Sequence, residues 1–238
     1  MASLLLIDDD AALLELLADY LREAGHVVHT AVNGDEGLKT FFSTQPELVI
    51  LDVTMPQRDG WQLLERIREM ASTPVIMLTA RNEEVNILRG FKLGADDYVT
   101  KPFSFAEMAA RVQSVLSRTY GLIRQGKSDE NVHLLRQGDL VIDLTAKKVW
   151  RGKELISLTP TELKLLQVLM QHPGEVLSSQ LLVREVWGEQ YVSDVGYVRR
   201  YIWHLRQKVE IDPDQPRYIH NEHGFGYRFY ALTEEERS

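Results

Sequence analysis

The chain is 238 residues long, 44% hydrophobic, with a formal net charge of −8 and no cysteine. That length exceeds the usual single domain and the apolar fraction suffices for two ordinary cores, while the lack of cysteine excludes disulfides and thiolate metal sites. The longest apolar stretches are strand-length, and the N-terminus enters Leu4-Leu5-Leu6-Ile7 with neither a basic region nor a cleavage site. No membrane span or signal peptide is therefore expected, and a cytoplasmic protein is.

The first half alternates apolar strands with amphipathic helices. Strands are expected near 4–7, 26–31, 48–52, 74–79 and 97–99, separated by helical patterns near 11–24, 34–44, 60–69, 83–92 and 104–118. This alternation predicts an α/β domain with a doubly wound, five-stranded parallel sheet, whose functional crevice lies beyond the carboxyl ends of the strands. Asp8, Asp9 and Asp10 follow the first strand and Asp52 ends the third. Asp10, just before Ala11-Ala12-Leu13-Leu14, reads as a helix cap. Asp8, Asp9 and Asp52 would instead meet in one pocket. Packed carboxylates repel unless a cation cancels their charge, and Mg²⁺ is favoured because it takes few protein carboxylates and leaves room for water and phosphate oxygens.

Two later strands add to that pocket. Pro74-Val75-Ile76-Met77-Leu78 ends in Thr79, and Asp97-Tyr98-Val99-Thr100 leads into Lys101. A nucleophilic Asp52, an acid pair for a metal, the Thr79 hydroxyl and the Lys101 ammonium are a complete set for phosphoryl transfer to a carboxylate. A hydrolase of the haloacid dehalogenase kind would need a second Asp two residues after the nucleophile, where this chain has Thr54.

These residues resemble the receiver domain of two-component response regulators over about residues 3 to 118. The likeness rests on Leu-Ile-Asp-Asp-Asp at 6–10, Leu-Asp-Val-Thr-Met-Pro at 51–56, Leu-Thr-Ala at 78–80 and Gly-Ala-Asp-Asp-Tyr-Val-Thr-Lys-Pro-Phe at 94–103. It implies that Asp52 is the phosphoacceptor, that Asp8, Asp9 and the Thr54 carbonyl join it around Mg²⁺, that Thr79 and Tyr98 form a switch pair, and that the Lys101–Pro102 bond is cis. No enzyme activity is expected beyond slow self-phosphorylation from small donors and autodephosphorylation.

After Arg118 the pattern fails, and residues 119–132 read as a polar, flexible linker. The second half has short strands near 139–143 and 147–150, then a helix opened by Thr159 and Pro160 and stopped at His172-Pro173-Gly174. A second helix starts at Ser178-Ser179 and ends at Trp187-Gly188. A third spans about 194–210, and Tyr218-Ile219-His220 with Gly224-Phe225-Gly226-Tyr227-Arg228-Phe229 reads as a hairpin. The domain occupies 133–233, and 234–238 is an acidic tail.

Net charge alone would argue against a nucleic-acid partner, but the charge is uneven. Residues 1–118 carry 18 acids and 11 bases, whereas Val195 to Lys208 holds Arg199, Arg200, Arg206 and Lys208 with no acid. On that third helix Val198, Ile202, Leu205 and Val209 recur at helical spacing as the core stripe. Gly196, Arg200, Trp203, His204 and Gln207 lie opposite, flanked by Arg199 and Arg206. Cations, an indole and an amide on one exposed face suit a DNA major groove, where Arg binds guanine edges and phosphates and Gln reads adenine.

This half resembles the α+β winged helix-turn-helix effector domain of the OmpR/PhoB class over about residues 133 to 231. The motifs are Leu-Thr-Pro-Thr-Glu-Leu at 158–163, Val-Arg-Arg-Tyr-Ile-Trp-His-Leu-Arg-Gln-Lys at 198–208 and Gly-Phe-Gly-Tyr-Arg-Phe at 224–229. The likeness implies that the third helix enters the major groove and that the wing, with Asn221 and His223, reaches the minor groove. Asn221, Glu222 and His223 stand where many members carry Thr, an apolar residue and Arg. The likeness also implies two-fold pairing of phosphorylated receivers, with Asp97–Arg111 and Asp96–Arg118 as cross-subunit ion pairs. At a third pair Glu107 is present but its usual basic partner is replaced by Ile87, with Arg89 and Lys92 nearby.

The expected protein is a phosphorylation-dependent DNA-binding transcriptional regulator of a two-component system. Its expected partners are a sensor histidine kinase, double-stranded DNA and a second copy of itself, with RNA polymerase a further candidate and no membrane. The competing expectation is a phosphorylation-independent regulator whose receiver serves only as a dimerisation module.

Overall fold

The computed structural model describes residues 1–55, 60–80, 93–125, 134–191 and 196–230. The chain divides into two compact units, Met1–Leu116 and Ser117–Ser238. In the first, strands β1 (Ser3–Ile7), β2 (Val27–Ala31), β3 (Leu48–Asp52), β4 (Val75–Ala80) and β5 (Asp97–Lys101) form one sheet in the order β2-β1-β3-β4-β5. Every pairing is parallel. Strands β1 and β3 are almost wholly buried, which is why they read as unbroken apolar runs and not as alternating ones.

Helices α1 (Ala11–Glu23), α2 (Gly34–Thr44) and α3 (Gly60–Met70) supply the connections. Helix α1 starts where Asp10 accepts a hydrogen bond from the Leu13 amide at 3.0 Å, the cap its position suggested. It buries Leu14, Leu17, Ala18 and Leu21 on one stripe. Each such leucine contributes about 1.5–3 kcal/mol by leaving water. The helical pattern near 83–92, with Ile87, Arg89 and Lys92, lies outside the described residues. The next described helix, α4 (Phe105–Gln125), continues seven residues past Arg118, so the first part of the expected linker is helical. No helix among the described residues is long and apolar enough to cross a membrane.

The second unit opens with an antiparallel four-stranded sheet, β6 (Leu134–Gln137), β7 (Leu140–Asp143), β8 (Lys148–Arg151) and β9 (Glu154–Ile156). Helix α5 (Pro160–Gln171) begins in a capping box, with Thr159 and Glu162 satisfying each other's backbone amides. Helix α6 (Ser179–Trp187) is capped by Ser178, and α7 (Gly196–Val209) buries Val198, Tyr201, Ile202, Leu205 and Val209. Strands β11 (Ile219–Glu222) and β12 (Gly226–Phe229) form the hairpin, with the two-residue β10 (Val176–Leu177) on the far side of β12.

Two side chains from the end of α7 clamp this hairpin. The Glu210 carboxylate accepts from the backbone amides of Arg217, Tyr218 and Ile219 at 2.8 to 3.3 Å. Arg206 donates through Nε and Nη2 to the Ile219 carbonyl at 3.0 and 2.7 Å. Burial pushes the Glu210 carboxyl above its ordinary value of 4.5 even against these donors. Folding therefore favours its protonated form, and this group makes stability fall as pH rises from about 4.5 through the raised value, then level off. Replacement by Ala strands three amide donors, so Glu210→Ala is expected to cost at least about 2 kcal/mol at neutral pH and to remove that acid-side slope. Thermal melts from pH 4 to 8 followed by tryptophan fluorescence would measure both, because Trp150, Trp187 and Trp203 all lie in this unit.

Candidate phosphoacceptor site and DNA-binding face

Register brings the acidic pocket together. Leu6 pairs with Ile50, Asp52 with Leu78, and Ala80 with Lys101. Side chains two apart on a strand share a face, so Asp8, Asp52 and Lys101 project from the same side at the carboxyl ends of β1, β3 and β5. Carboxylate oxygens of Asp8, Asp9 and Asp52 lie within 4.8 Å of one another. Lys101 Nζ is 2.7 Å from Asp8 Oδ2 and 3.0 Å from Asp52 Oδ1. The order β2-β1-β3 reverses the winding direction between β1 and β3, and the pocket opens at that switch point.

Burial differs sharply across the set. Asp8 and Asp52 are buried, whereas Asp9 is exposed and can turn outward to a ligand. Burial raises the Asp8 carboxyl above its ordinary range, although Lys101 and the Asp10 amide pull the other way. Lys101 also loses water, but its bonds to Asp8 and Asp52 outweigh that loss and hold its ammonium above the ordinary value. Thr54 donates to Asp52 Oδ2 through its amide at 3.2 Å and its hydroxyl at 3.1 Å. Among the described residues one ammonium faces three carboxylates, so the pocket is short of positive charge. A hard divalent cation fits that donor set, with Asp8, Asp9, Asp52 and the Thr54 carbonyl as the groups that could hold it.

Thr79 and Tyr98 are both buried. Thr79 pairs with Thr100 and Tyr98 with Met77, so the two stand on one side of the sheet two residues apart. The Lys101–Pro102 bond is cis. Gly60, which no sequence motif singled out, opens α3 directly beneath the pocket: a Cβ there would lie 2.2 Å from the Asp52 carbonyl oxygen. Arg68 was missed as well. It donates to the carbonyls of Gly94 and Thr73 at 2.8 and 2.6 Å and pairs with the fully buried Asp96 at 2.8 Å.

Within the single chain the residues of the expected dimer pairs have partners of their own: Asp96 is held by Arg68 and the Val75 amide, and Arg118 is buried. Asp97 is buried against Arg111 of the same chain at 3.2 Å. Glu107, whose expected deficit is of a base across the dimer, takes the other side of Arg111 of its own chain at 3.0 Å, one helical turn away.

In the second unit Arg199, Trp203 and Gln207 are exposed on α7, with Arg200 and His204 half-buried beside them. Trp203 is 50% exposed and meets the His204 ring edge-on at 4.7 Å. Asn221 and His223 are exposed near the hairpin turn. Arg206, expected on the flank of the DNA face, is turned to the Ile219 carbonyl and fixes the hairpin to the helix. Lys208 likewise pairs inward with the buried Glu162 at 2.6 Å.

Comparison with known proteins agrees with both units. Residues 4–113 match the response regulator receiver domain family, and residues 152–229 match the family described as transcriptional regulatory protein, C terminal. The chain is 42% identical to the transcriptional regulatory protein AfsQ1 of Streptomyces coelicolor, over 96% of this chain and 98% of that one. It is 37% identical to the KDP operon transcriptional regulatory protein KdpE of Escherichia coli, over 96% and 99%. Among solved structures it is similar to the response regulator DrrB of Thermotoga maritima, an OmpR/PhoB homologue, with 31% identity, 97% and 99% coverage and a TM-score of 0.50. The chain belongs to the OmpR/PhoB class of response regulators.

The close approach at Gly60 gives a direct test of how the pocket is held. Because the obstructing atoms are backbone, Gly60→Ala must push the end of β3 aside, with an expected cost of about 1–3 kcal/mol. Displacing Asp52 by a fraction of an ångström should also slow its phosphorylation about tenfold or more, read by intact-mass spectrometry with acetyl phosphate. An unchanged rate would show that β3 does not depend on that contact.

Proposed function

We propose that this chain is a cytoplasmic, phosphorylation-dependent DNA-binding transcriptional regulator of a two-component system, with Asp52 as the phosphoacceptor and a sensor histidine kinase as donor. One observation carries the reading: Asp8, Asp9, Asp52 and Lys101 converge at the carboxyl end of the sheet, in a chain whose other unit exposes a cationic helix free of acids. An Asp52 oxygen bonds to phosphorus as the donor's P–N bond breaks, and the departing imidazole keeps its electron pair and takes a proton. Lys101 then follows the phosphoryl oxygens, and Thr79 donates to one of them. Asp8, Asp9, Asp52 and the Thr54 carbonyl would hold Mg²⁺, which would supply the remaining positive charge. Self-phosphorylation from small donors and autodephosphorylation use the same groups.

The output lies on α7. Gln207 on the exposed face and Arg200, half-buried beside it, read bases, with Trp203 and His204 next to them and Arg199 toward the backbone. Arg206 acts as a positioning residue through the Ile219 carbonyl, and Asn221 and His223 form the wing's outer contact. Phosphorylation pairs two receivers across the surface carrying Arg111, whose bonds to Asp97 and Glu107 must first be exchanged. RNA polymerase is a further candidate partner.

Two variants test the chemistry. Acetyl phosphate should label the wild type by one phosphoryl group only with Mg²⁺ present, Asp52→Asn should stay unlabelled, and Asp9→Ala should lose at least tenfold in rate. Full labelling of Asp52→Asn would refute the assignment. On the DNA side, Arg200→Ala is expected to cost specific binding about 1–3 kcal/mol and to relax sequence preference, as read from binding curves at two salt concentrations. Unchanged affinity and preference would mean that another face reads the DNA.

A further inference from the structure

The hairpin Ile219–Phe229 carries one arginine and no lysine. Its charges are Arg228 and Glu222, with His220 and His223 as weak bases. Register sets His220 opposite Arg228 and Glu222 opposite Gly226, so His220, Glu222 and Arg228 share one face. Tyr227 and Phe229, on the other face, are buried. On the outer face Arg228 Nε lies 2.8 Å from Glu222 Oε1, with the two side chains 30% and 31% exposed. The guanidinium carbon sits 5.6 Å above the Tyr230 ring, which His220 meets edge-on at 4.7 Å. Arg228 is thus partly open to solvent, with its Nε covered, and it lies between an acid on one side and an aromatic ring on the other.

Such a pair adds little to folding, because exposed ion pairs are worth under about 1 kcal/mol. Its consequence for DNA is larger. An arginine that neutralises a phosphate releases a condensed counterion and adds about 0.9 to the slope of log affinity against log salt. An arginine already neutralised by its own chain adds nothing of the kind.

We propose that Glu222 sets the DNA affinity of the wing: by holding Arg228 in an ion pair on the outer face of the hairpin, it withholds the wing's arginine from DNA phosphate and leaves the wing with Asn221 and His223. This rests on the DNA-binding reading above and goes beyond it by naming the residue that weakens one of the two contact elements. Glu222→Gln keeps the side chain's size and removes its charge. The released guanidinium then extends from the outer face toward the backbone of a bound duplex.

The probe is a labelled duplex of about 30 base pairs, selected by the full-length wild type from a random pool with acetyl phosphate and Mg²⁺. Binding is measured for wild type, Glu222→Gln, Arg228→Gln and the double variant between about 50 and 300 mM salt. Glu222→Gln should tighten binding about three- to tenfold at about 150 mM salt and steepen the salt slope by about 1. Arg228→Gln alone should change affinity less than about twofold, and the double variant should return to near the wild-type value. An equal gain with and without Arg228 would show direct repulsion by Glu222 and overturn the proposal. So would an unchanged or weakened Glu222→Gln, or a tenfold loss in Arg228→Gln. Failure of the wild type to select any duplex would instead count against the DNA-binding reading itself.

Discussion

Three carboxylates whose oxygens lie within 4.8 Å of one another, answered among the described residues by a single ammonium, set the terms for the first unit. Burial raises the Asp8 carboxyl, with the Asp52 charge adding to it, and the bonds from Lys101 to Asp8 and Asp52 hold its ammonium above the ordinary value. A fold tolerates such a pocket only if its walls are stiff. Here they are strand ends: Asp8 follows an almost wholly buried β1, Asp52 closes a fully buried β3, and Lys101 closes β5. Gly60 packs against the Asp52 carbonyl from below, and Arg68 ties the beginnings of β4 and β5 through Thr73, Gly94 and Asp96. The sheet holds the charge deficit in place, in a donor set that fits a divalent cation.

The second unit answers a different constraint, orientation. Base reading requires a helix face and a hairpin to keep fixed relative positions, and Arg206 and Glu210 supply this by gripping both kinds of backbone group at the root of β11. Cations on α7 accordingly fall into two groups. Arg206 and Lys208 turn inward to the Ile219 carbonyl and Glu162, while Arg199 remains on the surface. Counting charges along the helix could not separate them.

Much of this was legible because it follows from periodicity. Buried parallel strands leave unbroken apolar runs, so the five strand positions and the acids at their ends could be read directly, as could the caps at Asp10, Thr159 and Ser178. Three of the short antiparallel pieces were not. Strands β6 and β9 are half exposed and three or four residues long, and β10 has two residues, too few to show alternation. Nor does spacing mark long-range polar partners: Arg68 and Asp96 are 28 residues apart, and Lys208 and Glu162 are 46 apart. The helix running on to Gln125 was missed because glycine at 121 and a polar composition argued for a linker.

Whether the charge state of Asp52 controls what the other unit does can be measured directly. Genomic fragments should be selected by the full-length chain with and without acetyl phosphate in Mg²⁺, using wild type and Asp52→Asn in parallel. If phosphorylation governs DNA binding, wild type enriches a defined set of fragments only when acetyl phosphate is present, and Asp52→Asn shows no such gain. Equal enrichment of the same fragments by both proteins, regardless of phosphodonor, would contradict phosphorylation control and leave the first unit as a dimerisation module alone.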